Sequence, residues 1–251
     1  MVGTIYLDER TLGLMTSGIK SMRVTILQPS YLPWLGFFEQ MHRSDQFVLY
    51  DDVQFTRRDW RNRNRVRVQE GSVWLTVPVI QKNKYEQSLL ETKIDNSTSW
   101  KRKHLETIRC HYSKTPFFDM YFPWCEKVFN REWNFLLDLS LETIQYLKGQ
   151  LKINTPLLRS SELGGTGDKT ERLISICKQL GATQYLSGES ARNYISDKDF
   201  SDQGIELEYQ EYQHPEYPQR YEGFVPFLST IDLLFNCGDK SLDFLKQTNC
   251  A

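Results

Sequence analysis

Residues 23–52 constrain the fold more than any other stretch of this chain. "RVTILQ" (23–28) is a β-branched run stopped by Pro29, the pattern of a buried strand. "PWLGFFEQMHRSD" (33–45) places apolar residues at 34, 37, 38 and 41, a helical spacing, with Pro33 suited to a first turn. "QFVLYDD" (46–52) reads as a second strand ending in two aspartates. Strand, helix and strand within about 30 residues form a βαβ unit, which needs a parallel sheet.

The remaining pattern extends this unit from both ends of the chain. "RNRNRVRV" (61–68) and "VWLTVPV" (73–79) flank "QEGS" and predict a hairpin. From 97 to 151 the spacing turns helical, with helices expected near 98–112, 117–130 and 133–149, and Gly149 near a C-terminal cap. After "NTPLLRSSELGGTGD" (154–168) the alternation resumes. "KTERLISICKQLGA" (169–182) predicts a helix closed by Gly181, "TQYLSG" (183–188) a strand, and "ESARNYI" (189–195) a helix capped by Ser190. "IELEYQEY" (205–212) predicts a strand and "FLSTIDLLFNCG" (227–238) a closing helix. The expected architecture is one α/β domain over 22–251. Residues 22–96 and 152–246 build a parallel sheet, and 97–151 form a helical insertion. Ligands of such sheets sit outside the carboxyl ends of the strands.

Composition narrows the partners. The net charge of −1 gives no global field for nucleic acid or an anionic membrane. Five scattered cysteines without CxxC spacing point to a reducing compartment and no structural zinc. Residues 1–21 lack an apolar signal core and read as an upstream extension, with an extra strand at "TIYL" as the alternative. No apolar run reaches the roughly 18 residues of a membrane span, so the cytoplasm is the expected location.

Four constellations carry candidate chemistry. In "RRDWRNRNRVR" (57–67), Arg61, Arg63, Arg65 and Arg67 alternate and would share one face of a strand. Interleaved with Trp60, Asn62 and Asn64, these guanidinium forks suit an anion, although a solvated face paired with acids fits the same pattern. Asp51 and Asp52 can hold Mg²⁺ beside a phosphate or act as base and orienter; they can equally cap a turn or balance arginines. His104 and His214 are the candidate bases, since imidazole titrates near neutral pH. Ser187-Gly188, between a strand and a helix, would offer amides to an anion. "GGTGD" (164–168) lacks the phosphate-loop lysine and reads as a linker or a loop over the site. Between Pro29 and Pro33, the corner "QPSYLPW" directs Gln28 and Tyr31 toward a pocket, with Trp34 as its wall or as core.

"ILQPSYLPWLGFF", "FVLYDDVQFTRRDWRNRNRV", "WLTVPV", "YLSGESARNYI" and "LSTIDLLFNCG" together resemble the WbqC-like protein family, from about Met22 to Leu245. The resemblance implies a role in bacterial surface-polysaccharide biosynthesis, with acyl or aminoacyl transfer to the amine of a nucleotide-linked amino sugar. Implied partners are a nucleotide sugar and an acyl carrier bearing phosphopantetheine; Mg²⁺ as a cofactor rests on the Asp51–Asp52 pair alone, and the net charge of −1 speaks against nucleic acid and membrane. On the family's motifs the site would comprise Gln28, Tyr31, Trp34, Asp51, Asp52, Gln54, Arg57, Arg58, Trp60, Arg61, Asn62, Arg63, Asn64, Ser187, Gly188 and His214. A looser likeness, strand then Pro-bearing loop then helix then Asp-ended strand, is to nucleotidyltransferases and pantothenate-synthetase-like ligases. Their HxGH signature is absent here, so adenylyl transfer loses its motif while nucleotide binding stays open. A non-catalytic module for sugar nucleotides or carrier proteins is the third reading.

Overall fold

A computed structural model describes residues 21–247, apart from 57, 58, 82–86, 168 and 194. The expectations for residues 1–20 and for Arg57 and Arg58 fall outside the described residues. β1 (Arg23–Leu27), β2 (Gln46–Leu49), β5 (Leu157–Arg159), β6 (Gln184–Ser187) and β7 (Glu206–Tyr209) form one sheet. Its order is β5-β2-β1-β6-β7, and every pairing is parallel. The chain winds outward from β1 through β2 to β5, then returns to place β6 and β7 on the other side. The strand order therefore reverses between β1 and β6, where sheets of this kind open a crevice at their carboxyl ends. β3 (Arg63–Arg67) and β4 (Ser72–Thr76) form the antiparallel hairpin.

Both faces of the central strands are covered, which is why they are largely apolar, and the polar Thr25 within β1 is hydrogen-bonded to Ser44 and to Leu186 O. Phe47 and Leu49 join the cluster containing Phe37, Phe38 and Met41 of α1 (Leu35–Arg43). Val24, Ile26 and Val48 face the opposite cluster, with Leu173, Ile176 and Cys177 of α6 (Lys169–Gln179). The insertion supplies α2 (Trp100–Tyr112), α3 (Phe118–Asn130) and α4 (Leu136–Gln150). It shares one continuous cluster with α1 and with α8 (Thr230–Cys237). Trp124 of α3 stacks on Tyr146 of α4 at 3.8 Å, and Phe235 of α8 packs against Tyr112, Phe118 and Tyr121.

Three local expectations change. β2 stops at Leu49, so Asp51 and Asp52 lie in the following loop rather than in the strand. Residues 154–163, where the sequence predicts no element, contain the edge strand β5 and the short helix α5 (Ser160–Leu163), because three strand residues are too few to display a period. The segment after β6 forms a 3₁₀ helix, Glu189–Asn193, with Ser190 inside it rather than at its cap. Two further short helices, α7 (Asp197–Ser201) and α9 (Ser241–Gln247), complete the described chain.

Candidate functional site

A cleft of about 310 Å³ opens at the point where the strand order reverses. Gln28, just past β1, and Ser187 and Gly188, closing β6, line it together with Tyr50, Arg61 and Lys169. Ile26, Leu173 and Tyr185 form its apolar part. The Gln28 side-chain carbonyl, Oε1, is buried and accepts no hydrogen bond among the described residues. A buried acceptor without a donor costs about 1–3 kcal/mol, which a ligand donor would recover. Arg61 Nη1 lies 3.5 Å from the Gln28 main-chain oxygen, and Nη2 pairs with Asp59 at 3.4 Å. Lys169 opens α6 with φ +43°, a strained backbone for a non-glycine residue. The first amides of α6 and its positive dipole end therefore border the cleft beside two cationic side chains.

Asp51 and Asp52 build this cleft's wall from behind. Asp51 is fully buried. Its Oδ2 accepts from Arg159 Nε at 2.5 Å and Ser161 Oγ at 3.0 Å. Its Oδ1 accepts from the Ser161 amide at 3.0 Å, which ties β2 to α5. Asp52 Oδ1 accepts from Ser160 Oγ at 2.6 Å, and Oδ2 pairs with Arg172 of α6. Arg172 in turn lies 5.3 Å over the Tyr50 ring that lines the cleft. All four carboxylate oxygens thus face donors, an arrangement that does not fit a Mg²⁺ ligand set. The pair balances arginines as expected, but the partners are Arg159 and Arg172 rather than the arginines of 57–67. Asp52, expected to be catalytic, positions Arg172 and through it Tyr50.

The proline corner is held from three sides. Leu32 adopts φ +46°. The Tyr31 amide donates to Arg61 O at 3.1 Å, Asn64 Nδ2 to Leu32 O at 2.6 Å, and Leu32 N to Thr143 Oγ1 at 3.3 Å. Asn62 Nδ2 likewise donates to Val77 O at 2.8 Å. Asn62 and Asn64 are therefore buried main-chain clamps. Tyr31 is fully buried, with its hydroxyl 3.0 Å from His104 Nδ1. Burial among Trp100 and Phe129 pushes the His104 imidazolium down to about 3, partly offset by a hydrogen bond to the Thr76 backbone. With both nitrogens engaged inside the core, His104 fits a structural pin between corner, hairpin and α2, not the base expected of it.

His214 sits on the loop leaving β7, among Tyr212, Tyr217, Phe224 and Phe227. Its Nδ1 is 2.9 Å from Pro215 O, so Nδ1 carries the donated proton and Nε2 presents a lone pair. Nε2 is buried without a partner among the described residues, and burial lowers the imidazolium pKa. The ring is outside the lining of the cleft. Trp34 packs against Tyr212 and Phe227, and its ring lies over Gly36. Gln54 forms an isolated bridge to Ser88. Trp60, Arg63 and Arg65 gather on the outer hairpin face. Arg67 points into the protein, donating to the carbonyls of Val68, Gly71, Glu222 and Gly223.

Of the expected residues, Gln28, Arg61, Ser187 and Gly188 thus meet in one cleft. Tyr50, Lys169 and Ser190 complete it and were not expected there. The signal for Lys169 was its position directly after a glycine-rich run. A larger depression of about 860 Å³ lies along β7, but its Arg23, Arg43 and Glu208 pair with one another.

The family model for the WbqC-like protein family matches residues 28–244. The chain is also 37% identical over 226 residues to "Uncharacterized protein Rv1507c" of Mycobacterium tuberculosis (strain ATCC 25618 / H37Rv). That match covers 89% of this chain and 97% of the relative. No solved structure gives a significant match. The matched span runs from Gln28, just past β1, through the hairpin and the insertion to α8, so the chain belongs to the WbqC-like protein family.

Proposed function

We propose that the cleft between β1 and β6 binds a nucleotide-linked amino sugar, and that the protein transfers an acyl or aminoacyl group to the sugar's amine in bacterial surface-polysaccharide biosynthesis. The observation that carries this reading is the orphaned, buried Gln28 Oε1 at the switch point, flanked by Arg61 and Lys169. A diphosphate would take the two cations and the α6 amides, and a ligand N–H or O–H would satisfy Gln28. An acyl carrier with a phosphopantetheine thioester is the proposed donor. The amine lone pair attacks the thioester carbonyl, a C–N bond forms and the C–S bond breaks. The amine proton passes to a base and then to the leaving thiolate. His214 is the proposed base for a sugar whose amine extends past the cleft's lining toward the loop leaving β7, since its Nε2 is buried and unpartnered among the described residues.

Incubating the protein with nucleotide amino sugars and acyl donors, read by mass spectrometry, tests the reaction. A mass increase on one sugar is expected, and Gln28→Ala should weaken sugar-nucleotide binding about tenfold. No added mass with any combination would remove the transferase reading. A second reading, binding without turnover, is favoured by the position of His214 outside the lining of the cleft. It expects Gln28-dependent affinity with His214→Ala leaving cellular function intact.

A further inference from the structure

The outward face of the hairpin carries chemistry that the cleft does not use. β3 and β4 pair Arg63 with Thr76 and Arg65 with Trp74, so these four side chains share one face. Arg63 lies 4.3 Å over the Trp74 ring, and Arg65 lies 5.7 Å from Trp74 and 5.8 Å from Trp60. Trp60 and Trp74 touch at 5.1 Å with a 55° tilt, yet both are exposed, at 37% and 40%. Apolar surface left open beside fixed cations is unusual for a solvated hairpin. Among the described residues Arg65 has no carboxylate partner, and it donates to Phe227 O at 3.4 Å.

This shelf runs directly into a groove. Trp74 and Thr76 also line a depression of about 550 Å³ between β4 and α2, with Thr98, Lys103, Glu106 and Thr107 on its other side. The groove mixes hydroxyls, one ammonium and one carboxylate, so it can both donate to and accept from a ligand rich in hydroxyl groups. The indole faces supply flat apolar contact for the C–H face of a pyranose. The Arg65 guanidinium, without a carboxylate partner among the described residues, offers N–H donors to a carboxylate or phosphate.

We propose that the hairpin shelf and its groove bind an acidic saccharide, with the ring seated on Trp60 and Trp74 and its anionic group held by Arg65, beside the positive charge of Arg63 over Trp74. The site is separate from the β1–β6 cleft and does not rest on the function proposed there. A nucleic-acid strand fits less well. It needs a groove that tracks successive phosphates with positive charge, whereas Glu106 lines this one and the chain's net charge is −1.

Calorimetric titration of the full-length protein tests the site. The probes are an oligogalacturonate for the carboxylate, glucose 1-phosphate for the phosphate, a neutral maltooligosaccharide and an oligothymidylate. At least one acidic probe should bind, and the neutral sugar should bind about tenfold more weakly. Trp74→Ala and Arg65→Gln should each weaken the acidic probe about tenfold, while Met120→Ala, at an exposed site on α3, should not. If Trp74→Ala loses the native circular dichroism, Arg65→Gln against Arg65→Lys decides. Lysine keeps the charge but loses the planar fork, so it should restore only part of the affinity. The proposal is overturned if wild-type protein binds neither acidic saccharide. Equal binding by the Arg65→Gln protein, or tightest binding of oligothymidylate, overturns it as well.

Discussion

At the scale of single residues, identical side-chain chemistry takes opposite roles according to burial. Asn64 and Gln28 both carry amides near the proline corner. Asn64 spends its amide on Leu32 O, whereas Gln28 keeps a buried carbonyl without a donor among the described residues. Asn64→Ala leaves the buried Leu32 carbonyl unpaired, and a loss of about 1–3 kcal/mol in denaturant unfolding is expected. His104 and His214 divide in the same way. One is pinned at both nitrogens, while the other keeps Nε2 unpartnered. The imidazole of His104 should stay neutral from 6.5 down to about 3, which ring ¹⁵N shifts would read directly. A charged His104 at pH 6 would contradict the pin. The sequence exposed which residue types cluster here but not which atoms they use, because partner choice depends on contacts 30 or more positions away in the chain, as between Asn64 and Leu32.

At the scale of elements, α1 begins where Trp34 folds back over Gly36. A Cβ at Gly36 would lie 2.3 Å from the Trp34 ring. Gly36→Ala must therefore displace that ring from Tyr212 and Phe227, at a cost of about 1–3 kcal/mol. A lowered melting temperature with altered near-ultraviolet circular dichroism would register it, and an unchanged Trp signal would refute it. Most element types were legible because their periods are long and clean. The β1–α1–β2 unit, the hairpin and the three insertion helices all fall within a few residues of expectation. β5 escaped because its three residues carry no period, and it becomes a strand only by pairing with β2. Asp51 and Asp52 appeared to end a strand. Their bonds to Arg159, Ser160, Ser161 and Arg172 instead make them the joint between β2 and the α5–α6 region.

At the scale of the molecule, one buried carboxylate joins parts that are distant in sequence. Asp232 of α8 accepts from Tyr112 of α2 at 2.6 Å, from Tyr217 at 2.9 Å and from Gln219 at 3.1 Å. Tyr112 accepts from the Arg67 amide of the hairpin. Burial raises the Asp232 pKa from 3.8 to about 6, against the pull of its three donors and of Arg67. Between those values the native state binds the extra proton, so stability falls as pH rises, by up to about 1.4 kcal/mol per pH unit. His104 acts in the opposite sense. Its native pKa is lowered, the unfolded chain binds the proton, and stability rises with pH up to 6.5. The two slopes oppose each other between 3.8 and about 6. Asp232→Asn should therefore show stability rising more steeply with pH across that window than wild type does. Urea unfolding at several pH values measures this, and parallel curves for the two proteins would refute it.

The sequence by itself determined the α/β class, the parallel βαβ start, the hairpin and the helical middle, since each rests on local period and on turn residues. It also marked Gln28, Arg61, Ser187 and Gly188 as candidates. Only the tertiary structure decided that these four share one cleft. Sheet order sets which strand ends are neighbours, and that order is fixed by packing on both faces of β1 rather than by any local signal. It also decided that the arginine-rich segment divides three ways. Arg61 turns to the cleft, Arg63 and Arg65 to the open shelf, and Arg67 to buried carbonyls. Strand alternation placed them on a single face in the sequence. Arg61 precedes the strand, and the 222–223 loop covers Arg67 at the other end, so the neighbours of each guanidinium differ along the seven residues 61–67.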